Sequence, residues 1–330
     1  MNMNTDVPVR SDSASDQPHR HHRPLVTIGI PTRNRAGTYL PIALGSALAQ
    51  DYSALEIVVS DNGSTDETQR YVCSLENPRI RYFRQDPVLT PNSNFNFCLQ
   101  QARGTYFLLL HDDDLIDEDF VSACVQAARD QPRVGVIRTG IRVIDGEGRV
   151  TAEHQNPVEG LALPALLRAW FHDKTAFYLP NTLYNTERLR ELGGFRSRRE
   201  MFQDVVALVR LAATHGTANV KEIKASFRHH EANMGFDPDK VMAWAEDCLE
   251  LRDLLVDLVP PDEKGPIRAE ASAYLSRKAY RRARLIGPWE ERVKTYASIF
   301  AMFGYGHSPW DIRRRLSRRL RLMSSPHALK

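Results

Sequence analysis

Cysteine is scarce. The 330 residues contain Cys73, Cys98, Cys124 and Cys248, far apart, with no Cys-x-x-Cys pair and no Cys/His ligand spacing. That excludes a disulfide framework and a structural zinc site, and points to reduced thiols in a cytoplasmic protein. Long apolar runs are also missing. No stretch approaches the ~18 residues that a membrane-spanning helix needs. Residues 1–23 lack the apolar centre of a signal peptide and are polar, with Pro and Ser, so a disordered tail is expected there. Its His19, His21 and His22 are expected to be solvated, weak metal binding being the lesser reading. The net charge of +3 excludes a polycation, while 42% apolar and 26% charged residues describe a globular chain. The cations are unevenly spread: RRRLSRRLR at 313–321 has six arginines, and RKAYRRAR at 277–284 has five cations.

What is present starts at Pro24. LVTIGI, LEIVVS and TYFLLL read as buried strands and RIRYFRQ as a more polar one. Between them lie helical spacings in AGTYLPIALGSALAQ, DETQRYVCSLE and NSNFNFCLQQA. Such alternation builds βαβ units, so the fold class is α/β, a mostly parallel sheet flanked by helices. RVGVIRTGIRVIDGEGRV then reads as a strand with a Gly-containing turn, LPALLRAWF as a short helix and ANVKEIKASFRHH as a strand. QDVVALVRLAATHG is a helix closed by Gly216. Beyond residue 236 the pattern is helical: one helix up to the breaker PPDEKGP, then stretches near 267–286, 289–303 and 309–323. Three parts are expected: a tail over 1–23, an α/β domain over 24–236 and a helical region over 237–330.

Acidic residues stand where ligands gather in such sheets, at the carboxyl ends of strands. Asp61 follows LEIVVS. DNGSTDET is good turn chemistry, with Ser64 and Glu67 expected as a capping box. Asp61 itself stands equally as a turn residue or as an acceptor for a base N–H or ribose hydroxyl. Asp112, Asp113 and Asp114 follow TYFLLLH. Asp117, Glu118 and Asp119 already supply the negative charge favoured at the next helix start. The triplet is thus surplus to capping, and a Mn²⁺ or Mg²⁺ ion bridging it to a diphosphate would remove its repulsion. Asp204 opens the QDVVALVRLA helix, as an N-cap or as a general base. In SFRHHEANMG, a histidine pair is commonly surface or core, whereas near a diphosphate Arg228 would hold phosphate and His230 would complete a metal shell.

Taken in order, VTIGIPTRNRAGTYLPIALGSALAQDY, LEIVVSDNGSTDET, RIRYF, NFNFCLQQARGTYFLLLHDDD, GGF, MFQDVVALVRLA and FRHHEANMG resemble the family 2 glycosyltransferases of the GT-A fold. The resemblance covers roughly residues 24–235. It implies a nucleotide-sugar donor, with Pro31, Thr32, Arg33 and Asn34 under base and ribose and Asp61 on the N3–H of a uridine or thymidine base. Asn96 would lie in the helix facing the nucleotide. HDDD takes the place of the DxD motif, with His111 at its first acid and Asp113 at its second, so Asp113 is the expected metal ligand and Asp112 its helper. Asp204 matches the catalytic base of an ED pair whose Glu is here Gln203. Residues 181–202 would form the acceptor-side loop, its Arg196, Arg198 and Arg199 standing as a solvated charged surface or, as the lesser reading, attracting an acidic or lipid-diphosphate acceptor.

Ile312, Leu316, Leu320 and Met323 recur at helical spacing among arginines. Residues 309–323 therefore read as a helix packed internally or in a dimer, or as a peripheral contact with anionic lipid at the inner membrane face. A glycan or lipid-linked acceptor is expected, and no nucleic-acid partner. Two other readings fit less well. A nucleotidyltransferase would need a Gly-rich phosphate loop where PTRNRAG stands, and a nucleic-acid binder would leave the acidic cluster without a role and lacks interleaved aromatics.

Overall fold

The computed structural model describes residues 23–230 and 240–304. The tail histidines and the basic stretch 309–323 lie outside the described residues, as do residues 231–239. The first half follows the expected alternation: β1 (Val26–Thr32), α1 (Leu40–Leu48), β2 (Leu55–Asp61), α2 (Thr68–Ser74), β3 (Ile80–Arg84), α3 (Pro91–Gln101) and β4 (Tyr106–Leu109). Next come β5 (Leu115–Ile116), α4 (Phe120–Ala127), β6 (Val136–Ile144), β7 (Val150–His154), α5 (Leu163–Phe171), β8 (Thr182–Asn185) and α6 (Thr186–Glu191). The chain continues through α7 (Gln203–His215), β9 (Thr217–Arg228), α8 (Val241–Asp257), α9 (Lys264–Ala283) and α10 (Trp289–Phe303).

One sheet has the strand order β3-β2-β1-β4-β8-β6-β9-β5, with β7 added along β6. The strands β3, β2, β1 and β4 are parallel. β8 runs against both β4 and β6, and β9 runs parallel to β6. The carboxyl ends of β1, β2, β4, β6 and β9 therefore share one edge. β1 and β2 are in step to the end, Thr32 facing Asp61. β4 pairs with β1 only as far as Leu109 opposite Gly29. The chain after β4 is thus free to fold over the last residues of β1.

Side-chain alternation on the strands assigns the two faces. Val26, Ile28 and Ile30 join Tyr106, Leu108 and Leu110 in a core completed by Leu40 and Leu44 of α1. Phe107 and Leu109 point the other way, into a core with Cys98, Phe195, Leu208 and Val209. That second core runs on without a break into Trp244, Leu251, Tyr274 and Leu275 of the C-terminal helices. The Phe202 and Trp244 rings lie 4.9 Å apart, as do those of Trp170 and Tyr274. Residues on either side of 236 thus bury one continuous apolar surface, a non-directional attraction that grows with the area removed from water.

Three local expectations need correction. The Ser64/Glu67 capping box does not form. Ser64 Oγ accepts instead from the Asn34 N–H at 2.8 Å, and the Thr68 N–H donates to Asp66 Oδ1 at 3.0 Å. Asp119 stands at the N-cap of α4 without capping it, because its carboxylate pairs with Lys224 and Asp117 pairs with Arg142. Gln50 Oε1 takes the Val121 N–H of that helix at 3.0 Å. α9 begins at Lys264, with Pro266 inside its first turn. There a missing N–H costs nothing, since the first four N–H groups of a helix have no intrahelical acceptor.

Candidate active site at the carboxyl edge of the sheet

The HDDD segment is a tight turn. The Asp114 N–H donates to the His111 carbonyl at 3.2 Å, bringing the first and fourth residues together. As a result one ligand atom each from His111, Asp113 and Asp114 lies within 4.8 Å of the others. Asp114 is fully buried. Its Oδ1 accepts the Arg228 N–H at 2.8 Å, and its Oδ2 has no partner. His111 Nε2 is likewise buried without a partner. Burial pushes the His111 pKa down, so its imidazole is neutral at pH 7 and has a lone pair to offer. Burial, and then the neighbouring Asp113 charge, push the Asp114 carboxyl up. Two orphaned buried atoms, on His111 and Asp114, in a group completed by the Asp113 carboxylate fit a divalent cation, because buried polar atoms are otherwise nearly always satisfied.

This grouping differs from the expected one in two residues. Asp112 lies outside it. Its Oδ2 accepts from Thr32 Oγ1 at 2.7 Å, which ties the turn to the end of β1. Burial raises the Asp112 carboxyl to about 6. His230 reaches Asp113, with Nε2 at 2.9 Å from Oδ2, yet is not in the His111 group. Tyr39 stacks on the His230 ring at 5.1 Å. A hydrogen bond of this kind orients a ligating carboxylate rather than adding a ligand. Arg228 also departs from expectation. Its guanidinium donates to the carbonyls of Asp113, Asp145 and Gly146, fastening the acidic turn to the β6–β7 turn.

Pro31 and Thr32 are buried at the end of β1, whereas Arg33 and Asn34 are exposed. Asn34 Oδ1 accepts from the Thr65 N–H at 2.8 Å, so the loop after β1 is fastened to the loop after β2. Asp61 is fully buried, and turn chemistry does account for it. Its Oδ1 accepts from the Ser64 N–H at 2.8 Å and its Oδ2 from the Tyr82 hydroxyl at 2.5 Å, with Arg84 at 3.7 Å. Asn96 lies on α3 and is half-buried. It grips the Gly194–Phe195 turn, Nδ2 donating to the Phe195 carbonyl at 3.0 Å and Oδ1 accepting the Phe195 N–H at 2.8 Å. Gly194 is required for this fit: its φ is +81°, and a Cβ there would lie 2.2 Å from Asn96 Oδ1.

Asp204 sits in the first turn of α7, two residues past Phe202, which holds the N-cap position. Tyr184 on β8, the strand beside β4, donates its hydroxyl to the Asp204 carbonyl at 3.4 Å. The side chain is partly open at the surface yet walled by protein. Burial raises its carboxyl to about 6 against the pull of the Val205 N–H and its own N–H. The helix start does not keep it at an ordinary acidity; burial wins. In the loop before α7, Arg198 pairs with Glu250 and Arg199 with Glu246, and the buried Asp247 accepts the Arg199 N–H. Those two cations are neutralised by α8 rather than held out for an acceptor.

His111 and Asp114 are the residues that motif reasoning passed over. One signal for His111 was available. Phe107, Leu109 and His111 alternate onto one face, so the ring falls on the same side as α3, where Phe95 meets it at 5.0 Å. Nothing in the sequence separated Asp114 from Asp112, since that depends on the turn.

Comparison with known proteins accords with this geometry. The family model for glycosyl transferase family 2 matches residues 27–205, more than half of the chain. A Campylobacter jejuni protein, GalNAc(5)-diNAcBac-PP-undecaprenol beta-1,3-glucosyltransferase, is 37% identical over 110 residues, 32% of this chain and 35% of its own length. The chain thus spans about a third of that relative. The S. aureus protein TarS in complex with UDP-GlcNAc superposes with a TM-score of 0.63 at 15% identity, covering 84% of this chain and 81% of the other. The mannosyltransferase PcManGT from Pyrobaculum calidifontis, in complex with GDP-Man and Mn²⁺, gives 0.57 at 19% identity over 93% and 82%. These two share the fold, the mixed α/β sheet of GT-A glycosyltransferases. The sequence pattern, the sheet edge that gathers Asp61, the HDDD turn and β9, and the family match converge: the chain belongs to glycosyl transferase family 2.

Proposed function

We propose that this chain moves a sugar from a UDP- or dTDP-sugar, or less favourably a GDP-sugar, to an acceptor hydroxyl with inversion at the anomeric carbon. The observation that carries the reading is the His111, Asp113 and Asp114 group at the edge where parallel strands present ligands. His111, Asp113 and Asp114 would hold a divalent cation, with His230 orienting Asp113. A mixed imidazole and carboxylate set suits Mn²⁺ better than Mg²⁺, which favours oxygen alone. When bound, such an ion supplies charge neutralisation for a leaving diphosphate.

The remaining steps belong to the protein. The loop at Pro31–Asn34, fastened to the Asp61 loop, forms the floor for base and ribose. Asp204 accepts the proton of the attacking hydroxyl while the acceptor oxygen bonds to the anomeric carbon and the bond to the diphosphate oxygen breaks. A carboxyl raised to about 6 is still mainly ionised at pH 7 and is a stronger base than an ordinary aspartate. The donor belongs to residues 24–236, the C-terminal helices wall the acceptor side, and 309–323 is the segment through which the enzyme would meet an anionic membrane surface.

The test is to incubate the protein with UDP-, dTDP- and GDP-sugars with and without Mn²⁺ and to measure release of nucleoside diphosphate. Slow, metal-dependent release from at least one donor is expected, and its loss in Asp113→Asn. Failure of every donor to bind with any metal would end the catalytic reading.

A further inference from the structure

Between α6 and α7 the chain crosses residues 192–202 in turns and bends, with no helix or strand to hold it. The far end of this segment sets the start of α7, and with it the place of Asp204. Asn96 grips the segment at Phe195. A second hold comes from α8. Asp247 is 2% exposed, and its carboxylate collects donors from three residues of the segment. Oδ1 accepts the Arg199 N–H at 2.8 Å. Oδ2 accepts the Ser197 hydroxyl at 2.8 Å and the Met201 N–H at 2.9 Å. Ser197 Oγ in turn accepts the Phe202 N–H at 3.2 Å. A carboxylate taken out of water persists only with donors of this kind around it.

The backbone here needs that support. Glu200 has a φ of +58°, a left-handed conformation uncommon for a residue with a Cβ. The N–H groups on either side of it, of Arg199 and Met201, converge on the one carboxylate, as backbone N–H groups in a turn do around an anion. The hold then passes into the helix. Phe202 is the N-cap of α7, and its carbonyl accepts the Val206 N–H at 2.9 Å. Its ring lies 4.9 Å from that of Trp244, one turn before Asp247 on α8. Asp204 is two residues further on. By contrast, the Arg198–Glu250 and Arg199–Glu246 pairs are exposed and contribute little. Asp247 also lies beyond residues 27–205, which the family model matches.

We propose that Asp247 is a positioning residue for Asp204: a buried carboxylate of the C-terminal helices that fixes residues 197–202 and so sets where the candidate base stands against the acceptor hydroxyl. The role in transfer rests on the reading of Asp204 given above, whereas the hold on the start of α7 rests on the hydrogen bonds alone.

Amide hydrogen exchange and donor turnover of the full chain test this. In Asp247→Asn the three donors lose part of their acceptor. The amides of Arg199, Met201, Phe202 and Val206 should then exchange roughly tenfold faster or more, while those of β1 and β2 keep their protection. Nucleoside diphosphate release with Mn²⁺ should lose roughly ten- to a hundredfold in kcat at a nearly unchanged donor KM, because the loops after β1 and β2 are fastened to each other. Ser197→Ala leaves the Arg199 and Met201 bonds in place and should move both readouts the same way by a smaller factor. If Asp247→Asn does not fold, Ser197→Ala decides by the same measurements. Glu246→Gln and Glu250→Gln break only exposed pairs and should stay near wild type. Unchanged exchange at Val206, a full kcat, or a loss wholly in KM would overturn the assignment. A wild type that releases no nucleoside diphosphate counts against the transfer reading alone, because exchange is read without donor and still decides whether Asp247 sets the start of α7.

Discussion

Asp204→Asn should make the protein more stable and nearly inactive, and the two effects have one cause. Burial raises the Asp204 carboxyl from 3.8 to about 6. A shift of roughly two units corresponds to about 3 kcal/mol of disfavoured charge. The side chain is partly open to solvent, so about 1–2 kcal/mol is a fairer figure after screening. The sign follows from linkage. A folded pKa above the unfolded one gives stability that is complete below pH ~4 and is lost as pH rises through ~6. At pH 7 the ionised carboxylate is therefore a net burden, and an amide of the same shape removes it. Thermal unfolding at pH 7 should rise by roughly 2–8 °C in the variant, and the gap should narrow toward pH 5. Catalysis should move the other way. The base is about 90% ionised at pH 7 and about 10% at pH 5, so nucleoside diphosphate release with water as acceptor should fall nearly tenfold across that range. Asp112 is also raised to about 6, so the profile must be repeated in Asp112→Asn. Should the acidic limb vanish in that variant, it belongs to Asp112. Full release by Asp204→Asn, or an unchanged melting temperature at pH 7, would refute the reasoning directly.

Two further outcomes follow from the site. Mn²⁺ affinity, read by calorimetry, should drop at least roughly tenfold in His111→Ala and Asp114→Asn and much less in Asp112→Asn, whose carboxylate is turned toward Thr32. The reverse ranking would restore Asp112 as the ligand. Gly194→Ala should cost about 2–3 kcal/mol in urea unfolding, combining a positive φ with displacement of Asn96. The added cost should shrink in an Asn96→Ala background, and strict additivity would show that Asn96 is not the obstacle.

Much of the fold was legible because its signals are local. The mostly apolar, partly β-branched runs of β1, β2 and β4, each bounded by turn residues, need no tertiary information to read as buried strands. The C-terminal end of α7 was legible for the same reason, since Gly216 takes a φ of +74° that other residues rarely adopt. Errors arose where a polar side chain had a choice of partners. Ser64 can cap a helix, and its neighbours favour it, but an unpaired Asn34 N–H from a loop thirty residues away took its oxygen. Asp119 can cap α4, but Lys224 on β9 offered a full charge.

The candidate site divides along the same line. The sequence by itself determined that acids would stand at strand ends, because apolar runs terminate at Asp61 and at HDDD and parallel strands bring such termini to one edge. It also determined that His111 would share a face with Phe107 and Leu109, since extended chain alternates. Only the tertiary structure decided which of three adjacent aspartates meets the histidine. β4 stops pairing at Leu109, the chain turns over the end of β1, and the Thr32 hydroxyl draws Asp112 aside while the Arg228 N–H holds Asp114 in. Hydrogen bonds between residues 80 and 114 positions apart made that selection, and no spacing within HDDD encodes them.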